Sequence, residues 1–419
     1  MKKILLLAAV AAFILPSCAK IDNVNKAAEK GTPIGFGVYI PKATKAGAAG
    51  TITVNGAGST TSLQDVGFGV FATYSDGGTY DQTIGPNFMY NTKVSGETWS
   101  YAPKKYWPNE TIDDNNGASG PAAADYLSFF AYAPYVGDIF NGNTFTGSTD
   151  EGIVALTANN ATTDPKVTYK VSQDPTKAVD LLWAVAPEGG FSYTDVHGAT
   201  VSVAEGYPLI NLTKPNTTTK VPFRFKHATS RLSLKIVGAY DQVSVGGTLD
   251  AATEVTVEEV QLTVPTYTQG KLNLHNTNKD TPYWEDLSGE FNTLTVSGEK
   301  LNISIRDGAP GANVGSDAEH MQNVFANDNY YFTLIPKAGD KEVTVKITYY
   351  VTTTDAALVG GKSRVQNVIS KTITISDGFA AGKAYTIAIV IGLTSVKLQA
   401  TVDDWDTGTI TYADLPLNS

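Results

Sequence analysis

Apolar residues at every second position are the feature that most narrows what this chain can fold into. Ile34, Phe36, Val38 and Ile40 alternate with Gly35, Gly37, Tyr39 and Pro41, a pattern that turns one side of a strand into a core and the other toward solvent. Pro41 ends that strand or places it at a sheet edge. Further strand candidates follow at residues 67–74 (GFGVFATY, repeating the GFGV of the first), 88–90, 99–101, 127–132, 166–171 and 180–186. Turn-rich polar stretches such as 109–124 and 141–149 lie between them. Beyond 213–220 (TKPNTTTK) strand candidates resume at 221–225, 231–237, 254–263, 294–305, 330–335, 342–353, 368–375, 384–391 and 396–402. Many short strands with such punctuation predict an all-β sandwich or barrel. The 39 glycines and 21 tyrosines, with only 17% charged residues, agree.

The 419 residues suit two such domains of about 200 residues each. The 213–220 stretch is the best linker, dividing the body into residues 46–215 and 216–419. One short helix is expected, with Ser316 to Glu319 as a capping box ahead of 320–326.

The first 17 residues read as a signal peptide. Lys2 and Lys3 precede an apolar run from Ile4 to Leu15, too short to span a bilayer, which takes about 20 residues. The run closes on Leu15-Pro16-Ser17-Cys18, which resembles a bacterial lipobox, and Cys18 is the chain's single cysteine. That resemblance implies acylation of Cys18; the alternative is an ordinary signal peptide with a chance cysteine. Up to Lys45 there are seven lysines and two acids, whereas the whole chain is net −10. The basic leader, 18–45, therefore reads as separable from an acidic body.

Composition disfavours several function classes. Net negative charge argues against nucleic acid, which needs a basic face. One cysteine permits no intrachain disulfide, and the four histidines are isolated, without zinc-ligand spacing. The two GFG segments lack the third glycine and helix of a dinucleotide loop and read as glycines packed under aromatic neighbours. Ser297 and Lys300 match a Ser-x-x-Lys spacing without its companion motifs. The acidic run 403–406 fits a solvated strand end better than a cation site. No cofactor, metal or catalytic residue is nominated. Aromatic clusters at 99–101, 106–108, 129–135 and 182–183 read as core packing, or alternatively as a sugar-stacking platform or a subunit interface.

Taken in order, the lipobox, 34–46 (IGFGVYIPKATKA), GFGVFATY, 87–91 (NFMYN), 105–108 (KYWP), 128–135 (SFFAYAPY), 180–184 (DLLWA), 221–232 (VPFRFKHATSRL) and 393–405 (LTSVKLQATVDDW) carry a resemblance over nearly the whole chain. The chain resembles the fimbrillins and fimbrillin-like lipoproteins of Bacteroidetes, subunits of type V pili. The resemblance implies two tandem transthyretin-like β-sandwiches and no enzyme activity. It implies a precursor lipid-anchored to the cell outer membrane and later built into an extracellular fimbrium with other pilus subunits.

The resemblance also implies that a trypsin-like protease removes the first strand, and that a neighbour's C-terminal strand fills the groove. Carried over, Ile34, Phe36, Val38 and Ile40 form the removable strand. The cut falls between Lys45 and Ala46, with Lys42–Ala43 second. The donor would be the tail 408–419, with Ile410, Tyr412, Leu415 and Leu417 apolar and a phase slip at Asp414. A tail that pairs only within its own domain would make the subunit a tip rather than a stalk. The rival expectation is a lipid-anchored surface glycan-binding protein that keeps its leader.

Overall fold

The computed structural model describes residues 31–39, 52–53, 61–76, 78–108, 125–137, 147–148, 150–159, 161–238, 252–303, 322–325, 330–392 and 396–405. The fold is all-β; among the described residues the helical elements are the four-residue turn Leu63–Val66 and the short 3-10 turns Gln82–Ile84 and Pro175–Lys177.

A seven-stranded sheet organises the first half. From one edge it runs Gly35–Tyr39, Lys220–His227, Leu182–Val185, Asp125–Ala133, Phe68–Asp76, Met89–Val94, with Leu209–Leu212 also paired to Asp125–Ala133. Both faces of this sheet are covered. On one, Ile34, Phe36, Phe68, Val70, Phe129, Phe223 and Phe225 form a core, capped by Tyr101, Trp107 and the hairpin Phe191–Thr194/Thr200–Val203. On the other, Phe71, Phe130, Tyr132 and Trp183 meet Val167, Tyr169 and Leu272 of a second sheet. Double coverage explains why Phe68–Asp76 and Asp125–Ala133 are apolar almost throughout rather than alternating.

That second sheet is assembled from distant segments. Its order is Tyr283–Ser288, Gln269–Asn273, Lys166–Lys170, Gly152–Leu156. A hairpin from the second half of the chain thus completes the first sandwich.

The remaining strands form a second sandwich. Ser230–Gly238, Lys383–Ile391 and Val396–Asp404, joined by Gln322–Asn323 and Phe332–Leu334, face Asn292–Asn302, Thr253–Val264, Lys341–Thr354 and Lys362–Ile375. Alternation here is clear. In Thr253–Val264 the buried residues are Val255, Val257, Val260, Leu262 and Val264, and their phase changes at the register shift between Val257 and Glu259.

Several expectations need correction. The division at 215/216 falls inside the first sheet, because Lys220–His227 pairs with strands of the first half and the chain changes sheet only between His227 and Ser230. Trp99 sits in a turn with φ 52°, not in a strand. Of the expected helix at 320–326, the described part is the strand Gln322–Asn323 followed by buried Val324 and Phe325. The aromatic clusters are largely core: Tyr101, Trp107, Phe129, Phe130, Tyr132 and Trp183 are buried, so they offer no exposed stacking platform. Gly69 lies under an aromatic ring, as expected; a Cβ there would come within 2.4 Å of the Tyr132 ring. Gly35 and Gly37 instead lie against Lys220.

Candidate functional site

The described part of the expected removable strand, Gly35–Tyr39, is the edge strand of the large sheet. It pairs in parallel with Lys220–His227, from Gly35 opposite Lys220 to Tyr39 opposite Arg224. Among the described residues its other side is unpaired. An edge strand of this kind can leave without dividing the sheet.

Its hold on the body is concentrated. Ile34 and Phe36 are each 1% exposed, Val38 is half-buried against the core and Tyr39 is 50% exposed. The Phe36 ring sits in an aromatic cage. Phe223 stacks on it at 5.6 Å, Tyr101 lies at 5.4 Å, and Phe129 and Phe68 present edges at 6.0 and 6.4 Å. The segment that caps the face also ties the strand's start. Ile34 N–H donates to the Lys105 carbonyl at 2.9 Å, Tyr101 Oη donates to the Ile34 carbonyl at 2.8 Å, and Trp107 N–H donates to the Thr32 carbonyl at 3.0 Å. The two fully buried side chains contribute about 3–6 kcal/mol of apolar burial at roughly 1.5–3 kcal/mol each. That is a large share of the about 5–15 kcal/mol that holds a typical domain folded.

At the far end of Lys220–His227 a buried polar cluster joins three segments. His227 Nδ1 bonds Asp180 Oδ1 at 2.7 Å, with both side chains almost fully buried. The second oxygen of Asp180 accepts the Ile52 N–H at 2.8 Å. Trp405 stacks on His227 at 4.3 Å with its plane 3° away. Trp405 N–H donates to the Gly382 carbonyl, and Gly382 N–H to the Thr229 carbonyl. Three segments far apart in the sequence, DLLWA, VPFRFKHATSRL and VDDW, therefore meet through Asp180, His227 and Trp405.

The outer side of the same strand is held by charge. Arg224 pairs with Asp280 and, at 3.5 Å, with Glu205; Lys226 reaches Asp280 at 2.9 Å and Lys279 reaches Glu205 at 3.3 Å. Burial alone would raise the Asp280 carboxyl, but Lys226 and Arg224 hold it below the usual carboxylate range. Asp164 is similar: burial opposes ionisation, and hydrogen bonds from His275, Tyr80 and Asn273 outweigh it. Both networks fasten loops of the second sheet to segments of the large sheet.

Cys18, Ile40, Lys45, Ala46, Ile410, Tyr412, Leu415 and Leu417 lie outside the described residues. Within them, Phe36 and Val38 lie in the strand Gly35–Tyr39, with Ile34 just before it. Their partners Phe68, Tyr101, Phe129 and Phe223, and the Asp180–His227–Trp405 cluster, had no local sequence signal as a site. Among the described residues no group of three or more His, Cys, Asp or Glu could hold a metal ion.

A family model described as fimbrillin-like matches residues 57–405. No characterised protein of the curated set matches the chain in sequence. Among solved structures, the chain is similar to a fimbrial protein from Bacteroides vulgatus at 22% identity and TM-score 0.54, covering 89% of this chain and 99% of that one. It also matches candidate cell adhesion proteins from Bacteroides uniformis (15% identity, TM-score 0.39, 89% and 98% covered) and Bacteroides ovatus (12%, 0.41, 90% and 98%). Only the first of these three exceeds a TM-score of one half, and it shows a shared fold.

Proposed function

The chain belongs to the fimbrillin-like family, and from that premise we propose that it is a structural subunit of a type V pilus, stalk or tip, that serves cell adhesion. In this account the precursor is anchored to the outer membrane through an acylated Cys18. A trypsin-like protease cuts between Lys45 and Ala46, with Lys42–Ala43 as the second choice. The leader strand departs, and the C-terminal tail of another subunit fills the groove to extend an extracellular fimbrium.

One observation carries the proposal: the leader strand is an edge strand whose attachment rests on Ile34 and Phe36. Removing it bares the backbone of Lys220–Arg224 on that side and empties an aromatic cage. A strand added there pairs the orphaned edge and refills the pockets, the combination that gives strand addition its affinity and specificity. While the leader is attached, it competes from an effective concentration that no free partner matches. The rival, a glycan binder using the aromatic clusters, is disfavoured because most of those rings, Tyr101, Trp107, Phe129, Phe130, Tyr132 and Trp183, are buried.

The N-terminus of the protein isolated from the cell surface tests the proposal. Recovery of chains beginning at Ala46 or Ala43, from a precursor acylated on Cys18, is expected. Recovery of only full-length lipidated protein, with no fibre present, would overturn it.

A further inference from the structure

We propose that Lys166 and Asn273 join through an intramolecular amide bond, with Glu285 as the proton carrier, closing the first sandwich covalently. The three residues lie on neighbouring strands of the second sheet. Asn273 stands directly opposite Lys166, and Glu285 stands opposite Lys271, one diagonal step from Asn273. Directly opposed side chains share a face with their Cβ atoms about 5 Å apart, so a lysine amine can reach its partner's carboxamide. Glu285 engages both reacting groups. Its Oε1 pairs with Lys166 Nζ, and its Oε2 accepts from Asn273 Nδ2 at 3.3 Å.

The carboxamide of Asn273 is held at both ends. Its Oδ1 accepts the His275 N–H at 2.9 Å, and its Nδ2 also donates to Asp164 Oδ2 at 3.1 Å. Asp164 is fixed in turn by Tyr80 Oη at 2.7 Å and His275 Nδ1 at 3.2 Å. The N–H on Oδ1 sits where negative charge develops when a nucleophile attacks Cγ. The carboxylates on Nδ2 hold the nitrogen that must leave. Asn273 is 3% exposed, and the side chains of Lys166 and Glu285 are 22% and 21% exposed, so water is largely kept from the pair. Lys271, the other cation beside Asn273, is drawn away to Asp286 at 2.8 Å and is 43% exposed. Lys166 is therefore the nucleophile.

The step balances with these groups alone. Glu285 takes one proton from the Lys166 ammonium. The Nζ lone pair then bonds to Asn273 Cγ, and the carbonyl π pair moves onto Oδ1 beneath the His275 N–H. The carbonyl re-forms as the Cγ–Nδ2 bond breaks, leaving its electron pair on Nδ2. Two of the three ammonium protons pass through Glu285 to Nδ2, which departs as ammonium. The third stays on the new amide nitrogen, and Glu285 ends as the carboxylate it began. The product ties a strand of the first half to the hairpin supplied by the second half. It does not depend on departure of the leader strand.

Intact-mass spectrometry of the folded full-length chain, held until its mass is constant, tests the proposal. Corrected for the substitution, the wild type should be lighter than Lys166→Arg by about 17 Da, the one ammonia lost when the lysine amine displaces it. Trypsin should leave Lys166 of the wild type uncut and its peptide joined to Leu272–Lys279. In Glu285→Gln, shown to be folded by circular dichroism, the two peptides should separate. Equal corrected masses, with ordinary cleavage after Lys166, would overturn the proposal whatever the variants do. A loss of about 18 Da, one water, would place the bond on a carboxyl group and overturn the assignment of Asn273. Full linkage in Glu285→Gln would overturn the role of Glu285.

Discussion

The two sandwiches treat their exposed sheet edges in opposite ways. The first ends on the five-residue strand Gly35–Tyr39, which bears no charge and plugs an aromatic cage with Phe36. The second ends on the fourteen-residue strand Lys362–Ile375, unpaired on its outer side among the described residues and mostly exposed. That longer edge carries Lys362, Arg364 and Lys371 and no acid. Lys371 stands opposite the buried Val345, in the inward-facing row between Ile369 and Ile373. A lysine placed there blunts an edge against further pairing. In the proposed assembly the first edge is vacated and refilled, whereas the lysine-bearing second edge stays unpaired.

Phe36→Ala attacks the first edge and should have the largest effect. Loss of a fully buried phenylalanine costs about 3–5 kcal/mol, measured by denaturant unfolding of the precursor. The variant should also expose its leader to proteolysis before the body unfolds. A loss below about 1 kcal/mol would mean that the strand is not held by its cage.

Acid should separate the two regions by a smaller amount. The carboxyls held below their ordinary range include Asp164, Glu205, Asp280 and Asp286, all on the first sandwich and the loops and strands of its second sheet. Carboxylates with depressed values stabilise the fold above their ordinary range and lose that contribution as pH falls below it, 3.8 for aspartate and 4.5 for glutamate. Calorimetry between pH 5 and pH 3 should show the first sandwich melting progressively earlier than the second. A uniform shift would break the contrast.

How much of this was legible in the sequence depends on range. The alternation at Ile34, Phe36 and Val38 is local, so the leader strand could be read directly. Its cage is drawn from Phe68, Tyr101, Phe129 and Phe223, which no local period connects. The same limit hid the Gln269–Asn273 and Tyr283–Ser288 strands, which carry little apolar alternation; nothing local discloses that they pair with each other and that Gln269–Asn273 pairs with Lys166–Lys170. Polar TKPNTTTK looked like a linker because turns between strands of one sheet share the composition of linkers between domains. The Asp180–His227–Trp405 cluster was present as three separate motifs, and only the fold brought them into contact.

Lys371→Val probes the second edge and should be the smallest change in stability, within about 0.5 kcal/mol for an exposed position. Its effect should appear in association instead, as concentration-dependent dimers or aggregates of the uncut precursor. A variant that stays monomeric at high concentration would remove the guarding role of Lys371.

The central claim is that the leader edge, and not the other, is opened by proteolysis for assembly. Size-exclusion chromatography with light scattering on the precursor, before and after lysine-directed cleavage, tests it most directly, with Lys42→Ala/Lys45→Ala as the uncut control. The account predicts a monomeric precursor, a ladder of oligomers after cleavage, and a monomer when the double variant meets the same protease. Oligomers formed equally well by the double variant, or a cleaved wild type that stays monomeric, would contradict it.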